Sequence, residues 1–308
     1  MPTTVLIPTM GAALIGAFTS VFLYGITTLQ TFLYYERFWH EDRRGVKYTK
    51  VVLLWLLETV HAALACHFIF RSLVLNFGDF PALEITSLSD DVTHGILGTT
   101  IFVVHCFYIH RLWAFTQNIF LTGLVFVLAV CHFAFEIVTM AMLVIWRDFR
   151  EFHRVTPYFT TAMITAIFAD VIIALSMAMN LREKQRGIKK TKSLINRLIA
   201  YIISTGMLTS VVDIITLGTF LGMPNNFVYL CFLNFITRLY ANSMLALLNA
   251  RASLRSRANF GGRQSDIMLD NILSMDNNGG HTWPARVDES QIVFKQCSET
   301  ETSSICHP

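Results

Sequence analysis

Seven long apolar stretches alternate along the chain with shorter segments that carry nearly all of its charge. They run approximately over residues 11–35, 51–75, 93–113, 119–146, 158–181, 198–220 and 227–249, and each lacks Lys and is almost free of Arg, Asp and Glu. A helix needs roughly 20 residues to cross about 30 Å of hydrocarbon, so every stretch is long enough to span. Lipid offers the backbone no hydrogen-bond partner, which makes each span helical, and no series of short alternating segments points to a barrel. The expected fold is therefore all-α, an integral membrane bundle of seven transmembrane helices over residues 1–249. Residues 250–308 form a Ser- and Asn-rich tail with too few apolar positions for a core, expected to be mostly disordered.

Composition sharpens this picture. The 308 residues are 54% hydrophobic and 15% charged, with a mean hydropathy of +0.51, whereas soluble domains average about 25% charged. The net charge of +3 comes from local clusters and forms no basic domain, so the bilayer is the expected partner and nucleic acid is not.

Those clusters predict orientation. Arg37, Arg43, Arg44, Lys47 and Lys50 follow the first span, Arg111 the third, seven basic residues from Arg182 to Arg197 the fifth, and Arg251, Arg255, Arg257 and Arg263 the seventh. The opposite side holds only Arg71, Arg147, Arg150 and Arg154. By the positive-inside rule the N-terminus lies outside and the C-terminus in the cytoplasm, with the plasma membrane as the expected location. The basic connection 182–197 and the tail would then face cytoplasmic protein partners. Cys66, Cys106, Cys131 and Cys231 fall within spans and Cys297 and Cys306 in the tail, so no pair is placed for an outer disulfide.

Five charged residues lie deep in the spans: Glu58, Glu136, Asp170, Asp213 and Arg238. Each costs about 2.5 kcal/mol or more in hydrocarbon and must turn inward to a partner. Asp170 belongs to a line spaced by four, Ala162, Ala166, Asp170, Ala174 and Ala178, whose small residues let a neighbouring helix approach. The same spacing gives Asn234, Arg238, Asn242 and Ala246 on the seventh span, and Ala12, Gly16 and Ser20 on the first. Depth places Asp170 and Arg238 near the midplane and Asp213 within reach of a long side chain. The expected polar centre is thus Arg238 paired with Asp170 or Asp213, with Asn234 and Asn242 filling its other donors. Two further pairs, Glu58 with His61 and His132 with Glu136, stand at helical spacing and are candidates for proton relay, since His titrates near neutral pH. The alternative is that each pair only satisfies itself.

Other chemistries find no support. No span holds the Lys that a retinal Schiff base requires. Spans five to seven contain no His, and the cysteines show no ligand spacing, so neither a metal nor another cofactor is expected and no catalytic motif appears. Seven spans with a basic fifth connection match G-protein-coupled receptors in topology, yet the third span ends in His110-Arg111-Leu112 and the seventh has no Pro.

Several segments carry a closer likeness: Asp170-Val171-Ile172-Ile173-Ala174, Thr205-Gly206-Met207-Leu208-Thr209-Ser210, Leu239-Tyr240-Ala241-Asn242-Ser243 and Leu248-Asn249-Ala250-Arg251. With Gly11, Gly16, Tyr24-Gly25, Gln30 and the segment from Leu54-Trp55 to His61, they resemble a family of seven-span proteins of mushroom-forming fungi, domain of unknown function 6534. The likeness covers roughly residues 11–255 and is most specific over 170–255. It implies a fungal, multi-pass membrane protein and brings no ligand or catalytic residue with it. The leading expectation is a receptor-like or sensory membrane protein. The rival is a proton-coupled transporter or channel-like protein using Glu58, His61, His132 and Glu136.

Overall fold

The computed structural model describes residues 10–38, 51–79, 85–147, 152–185, 192–223 and 226–259. The chain divides into a unit of residues 1–275 and one of residues 276–308, and the second lies outside the described residues, as do most of the tail and residues 186–191 of the basic connection.

The described part is all-α. Helix α1 spans Ala12–Phe38, α2 Leu53–Phe70 with a π-helical turn Arg71–Leu75, α3 Leu88–Thr116, α4 Ile119–Trp146, α5 Phe152–Gln185, α6 Lys192–Gly222 and α7 Val228–Asn259. All seven are long and apolar enough to cross a membrane.

Several helices overrun the apolar stretches that announce them, because a helix need not end where hydrocarbon does. Helix α3 starts five residues early: the Ser87 hydroxyl accepts from the Asp90 amide at 3.2 Å, and Asp90 and Asp91 occupy the first turn, where carboxylates complement the positive end of the helix dipole. Only Gln117 and Asn118 separate α3 from α4. Gln117 takes the left-handed conformation with φ 51° and closes α3, while the Asn118 side chain accepts from the Phe120 and Leu121 amides and opens α4. Helix α7 continues ten residues past its expected end, so the backbone of the first basic positions after the span remains helical.

The helices form a closed ring in chain order, with α1 returning against α7, and α3 reaching across to α5 and α7. Along their most apolar windows, α3, α5 and α7 are 61, 56 and 61% buried, against 28–33% for the other four. The buried trio makes the centre. The outer surface is apolar, with Phe18, Phe22 and Phe32 on α1, Phe126 on α4 and Leu175 on α5 exposed, as a lipid-facing surface requires and as water would penalise.

Helix α1 is held to α7 by a ladder rather than by apolar contact alone. A Cβ at Gly16 would stand 2.6 Å from the Cys231 Cα, so the two backbones touch there. Further along, Ser20 accepts from Arg238 Nε at 3.1 Å, the Thr27 hydroxyl donates to Asn242 Oδ1 at 3.1 Å, Asn242 Nδ2 donates to the Leu23 carbonyl at 3.3 Å, and Asn249 Nδ2 donates to the Gln30 carbonyl at 2.8 Å. The small-residue line of α1 is thus a packing face, and so is that of α5: Ala162, Ala166, Asp170, Ala174 and Ala178 are all buried, and Gly206 of α6 leaves no room for a methyl beside Ala174.

Candidate functional site

All five deep charges are buried, and α7 sorts four of them into two groups, with Glu136 standing apart against α3. Successive residues on a helix are turned by about 100°, so Arg238 and Tyr240 face nearly opposite ways. Arg238 points to α1 and α2. Its Nη1 donates to both the carboxylate and the backbone carbonyl of Glu58, its Nη2 lies 3.1 Å from His61 Nδ1, and its Nε reaches Ser20. The Tyr24 ring flanks the guanidinium, 5.5 Å from ring centre to Cζ. Arginine can only donate, so His61 Nδ1 is an acceptor here and the imidazole is neutral with its hydrogen on Nε2. Protonating His61 requires that contact to break.

The expected pairing of Arg238 with Asp170 or Asp213 is therefore wrong, and so is the supply of Asn234 and Asn242 to its remaining donors. Rotation around α7 decides: the side of α7 that meets Asp170 of α5 and Asp213 of α6 carries Tyr240. Asn242 bonds to α1, and Asn234, although buried one turn before Arg238, makes no described hydrogen bond to it.

The acids of α5 and α6 meet at Tyr240. Its Oη lies 2.8 Å from Asp170 Oδ2 and 2.9 Å from Asp213 Oδ2. Asp170 also accepts from the Thr209 hydroxyl and lies 3.0 Å from His105 Nε2 of α3. Asp213 has no second partner among the described residues: its Oδ1 is buried and unpaired. Beside this centre is a cavity of about 20 Å³, walled by Tyr108, Asp170, Thr205, Thr209, Tyr240 and Ser243 among others, with the Tyr108 hydroxyl donating to Ser243 at 3.2 Å. That volume holds about one water.

The His132–Glu136 pair does not close on itself either. His132 Nδ1 donates to the Ala162 carbonyl of α5 at 3.0 Å, and Glu136 Oε2 faces His94 Nδ1 of α3 at 3.4 Å. The rings of His105 and His132 meet edge to face with centroids 6.1 Å apart. Glu58 and His61 likewise share Arg238 instead of each other. The residues that complete these arrangements, Ser20, His94, His105, Thr209 and Tyr240, are neutral or lie near a helix end, so a search for deep charges passes over most of them. Tyr240 had one visible signal, a polar tip two positions from an intramembrane Arg. No group of three or more His, Cys, Asp or Glu arranged to hold a metal ion occurs among the described residues.

Seven apolar helices around a buried, hydrogen-bonded charge network mark a multi-pass membrane protein. Residues 166–253 match the model of a family of unknown function, DUF6534. That stretch runs from the start of the Asp170 region to the end of the apolar part of α7 and so contains Asp170, Thr209, Asp213, Arg238, Tyr240 and Asn242. Comparison with curated proteins and with solved structures gives no match.

Proposed function

We propose that the chain is a receptor-like or sensory protein of the plasma membrane, N-terminus outside, in which α7 is the element that changes position. The observation that supports this reading is the opposed anchoring of α7: Arg238 ties it to Glu58 of α2 on one side, and Tyr240 ties it to Asp170 of α5 and Asp213 of α6 on the other. Buried ionic contacts of this kind are strong only when geometry is complete, which makes a helix held by two of them suited to two discrete positions. Helix α7 leads directly into the basic residues that, with the connection 182–197, would meet cytoplasmic partners. The test is the distance between spin labels at Gln117, which closes α3, and Ala250, towards the end of α7, in bilayers. Wild type should give one distribution and Glu58→Gln a second. An unchanged distribution in a folded Glu58→Gln protein refutes the switch.

A second reading, a proton-coupled transporter employing Glu58, His61, His132 and Glu136, draws on the contact of Glu136 with His94 across α3 and α4. Proton flux in proteoliposomes, lost in Glu58→Gln or Glu136→Gln, would favour it over the sensory reading.

A further inference from the structure

The Asp170–Tyr240–Asp213 bridge cannot be made with both carboxyls ionised. A phenol has one hydrogen, which two ionised carboxylates buried side by side would have to share while repelling each other, and Tyr240 Oη stands within hydrogen-bond distance of both. The second contact closes only when that carboxyl is itself an acid and donates to Oη. Partner counting says which one. Asp170 is met by His105 Nε2, Thr209 Oγ1 and Tyr240 Oη, the surroundings of an anion, whereas Asp213 meets Tyr240 alone and keeps one buried oxygen unpaired.

A line of bases leads to this place from the end of α3 where the helix begins. His94 faces Glu136, Glu136 stands one turn from His132 on α4, the His132 ring meets that of His105, and His105 faces Asp170. Each of these four side chains is buried. Each of the two central imidazoles has one nitrogen committed and one free: His132 Nδ1 must donate to the Ala162 carbonyl, leaving Nε2, and His105 Nε2 faces the Asp170 carboxylate, leaving Nδ1. Glu136 Oε1 is unpaired as well. Three unpaired polar atoms on three consecutive members of one line, Glu136, His132 and His105, are what a path for a small, transferable ligand needs, and buried polar groups are otherwise paired.

We infer that Asp213 and Asp170 form a proton-binding site bridged by Tyr240, and that His94, Glu136, His132 and His105 are its access path. Each transfer balances: His94 passes a proton to Glu136, Glu136 to His132 Nε2, and His132 hands it on from that same nitrogen to His105 while its Nδ1 hydrogen stays on the Ala162 carbonyl. His105 takes a proton on Nδ1 and releases the one on Nε2 to Asp170, returning to a neutral ring. Tyr240 then receives that proton on Oη from Asp170 as it gives its own to Asp213, and the phenol ends as it began. The charged and titratable groups facing the site are His105 and Tyr108 from α3, His132 and Glu136 from α4 and Tyr240 from α7, with Arg238 turned away on the far side of α7 and neutralised by Glu58. The inference deepens the sensory reading by naming its input, and it rests on that reading only there.

Infrared spectroscopy of the whole protein in bilayers at neutral pH tests it. A protonated carboxyl band should be present and should move when the protein is made with carboxyl-labelled aspartate. It should vanish in Asp213→Asn and shift upward in Tyr240→Phe. In His105→Asn and His132→Asn it should remain while its hydrogen–deuterium exchange slows about 10²-fold, the order lost when a positioned proton-transfer group is removed. A band insensitive to labelled aspartate in wild type overturns the site without reliance on any variant. Exchange at the wild-type rate in both His variants overturns the path. Neither result bears on whether α7 moves, which the spin-label distances decide separately.

Discussion

Arg238 and Tyr240 stand two residues apart on α7 and divide four of the five deep charges between them, Glu136 alone lying elsewhere. One faces Glu58, His61 and Ser20, the other Asp170 and Asp213. Because the turn between them is fixed by the helix, neither contact can be adjusted without moving the other, and α7 is positioned by both at once.

The first consequence concerns Glu58. Its removal leaves Arg238 buried without a counter-charge, a change that costs about 3–5 kcal/mol when one partner of a buried pair is deleted. Glu58→Ala should lower the thermal midpoint of the detergent-solubilised protein strongly, and Arg238→Ala should do the same. The double change Glu58→Leu with Arg238→Met should restore most of the loss, since an apolar pair of similar volume often replaces a buried ion pair without penalty. A double variant as unstable as the singles would mean that the pair is not the unit that matters.

The contact of α1 with α7 makes a sharper steric prediction. At Gly16 an added methyl meets backbone, 2.6 Å from the Cys231 Cα and 2.8 Å from its carbonyl oxygen, and backbone cannot swing aside as a side chain can. Gly25 lies on the same helix with nothing within 4 Å of the corresponding position. Gly16→Ala should therefore destabilise the protein measurably, while Gly25→Ala should leave it unchanged or raise its stability by up to about 1 kcal/mol through the helix propensity of Ala. Equal effects at the two positions would remove the close approach as the reason for Gly16.

Much of this arrangement is legible in the amino-acid sequence. Apolar length yields all seven helices, and the need to neutralise buried charge selects Glu58, Glu136, Asp170, Asp213 and Arg238 as interior. The spacing of Gly16 and Ser20, and of Ala166, Asp170 and Ala174, marks faces that do become helix contacts. What spacing along one helix does not contain is the rotation of one helix relative to the next. For that reason depth arithmetic led Arg238 toward Asp170, whereas the ring order of the bundle turns Arg238 to α2 and leaves the aspartates to a tyrosine. Neutral partners are hidden for a related reason. A His or Tyr in an apolar span gives no alarm, and His105 and Tyr240 acquire meaning only when α3, α5 and α6 bring their acids against them.

Asn242 and Asn249 should behave differently from the charges. Each makes a neutral bond to α1, Asn242 with Thr27 and the Leu23 carbonyl and Asn249 with the Gln30 carbonyl, and interhelical bonds inside membrane proteins average about 0.6 kcal/mol. Asn242→Ala should thus cost on the order of 1 kcal/mol, well below Glu58→Ala, as read by the same thermal midpoint. A loss as large as that of Glu58→Ala would assign Asn242 to the charge network rather than to the α1 ladder.

Orientation leaves the last prediction. The connection between α3 and α4 is two residues long and carries no charge at Gln117 or Asn118, whereas Asp79 follows α2 at the opposite end of the bundle, so labels at these two sites report opposite faces. With the N-terminus outside, a cysteine at Asp79 in a cysteine-free background should react with an impermeant maleimide applied to intact cells, and one at Gln117 should react only after permeabilisation. The reverse pattern would invert the bundle and place the α3 end of the His94–Glu136 path on the cytoplasmic side. The path would then draw its protons from the cell interior, and the basic segment after α7 would face outward.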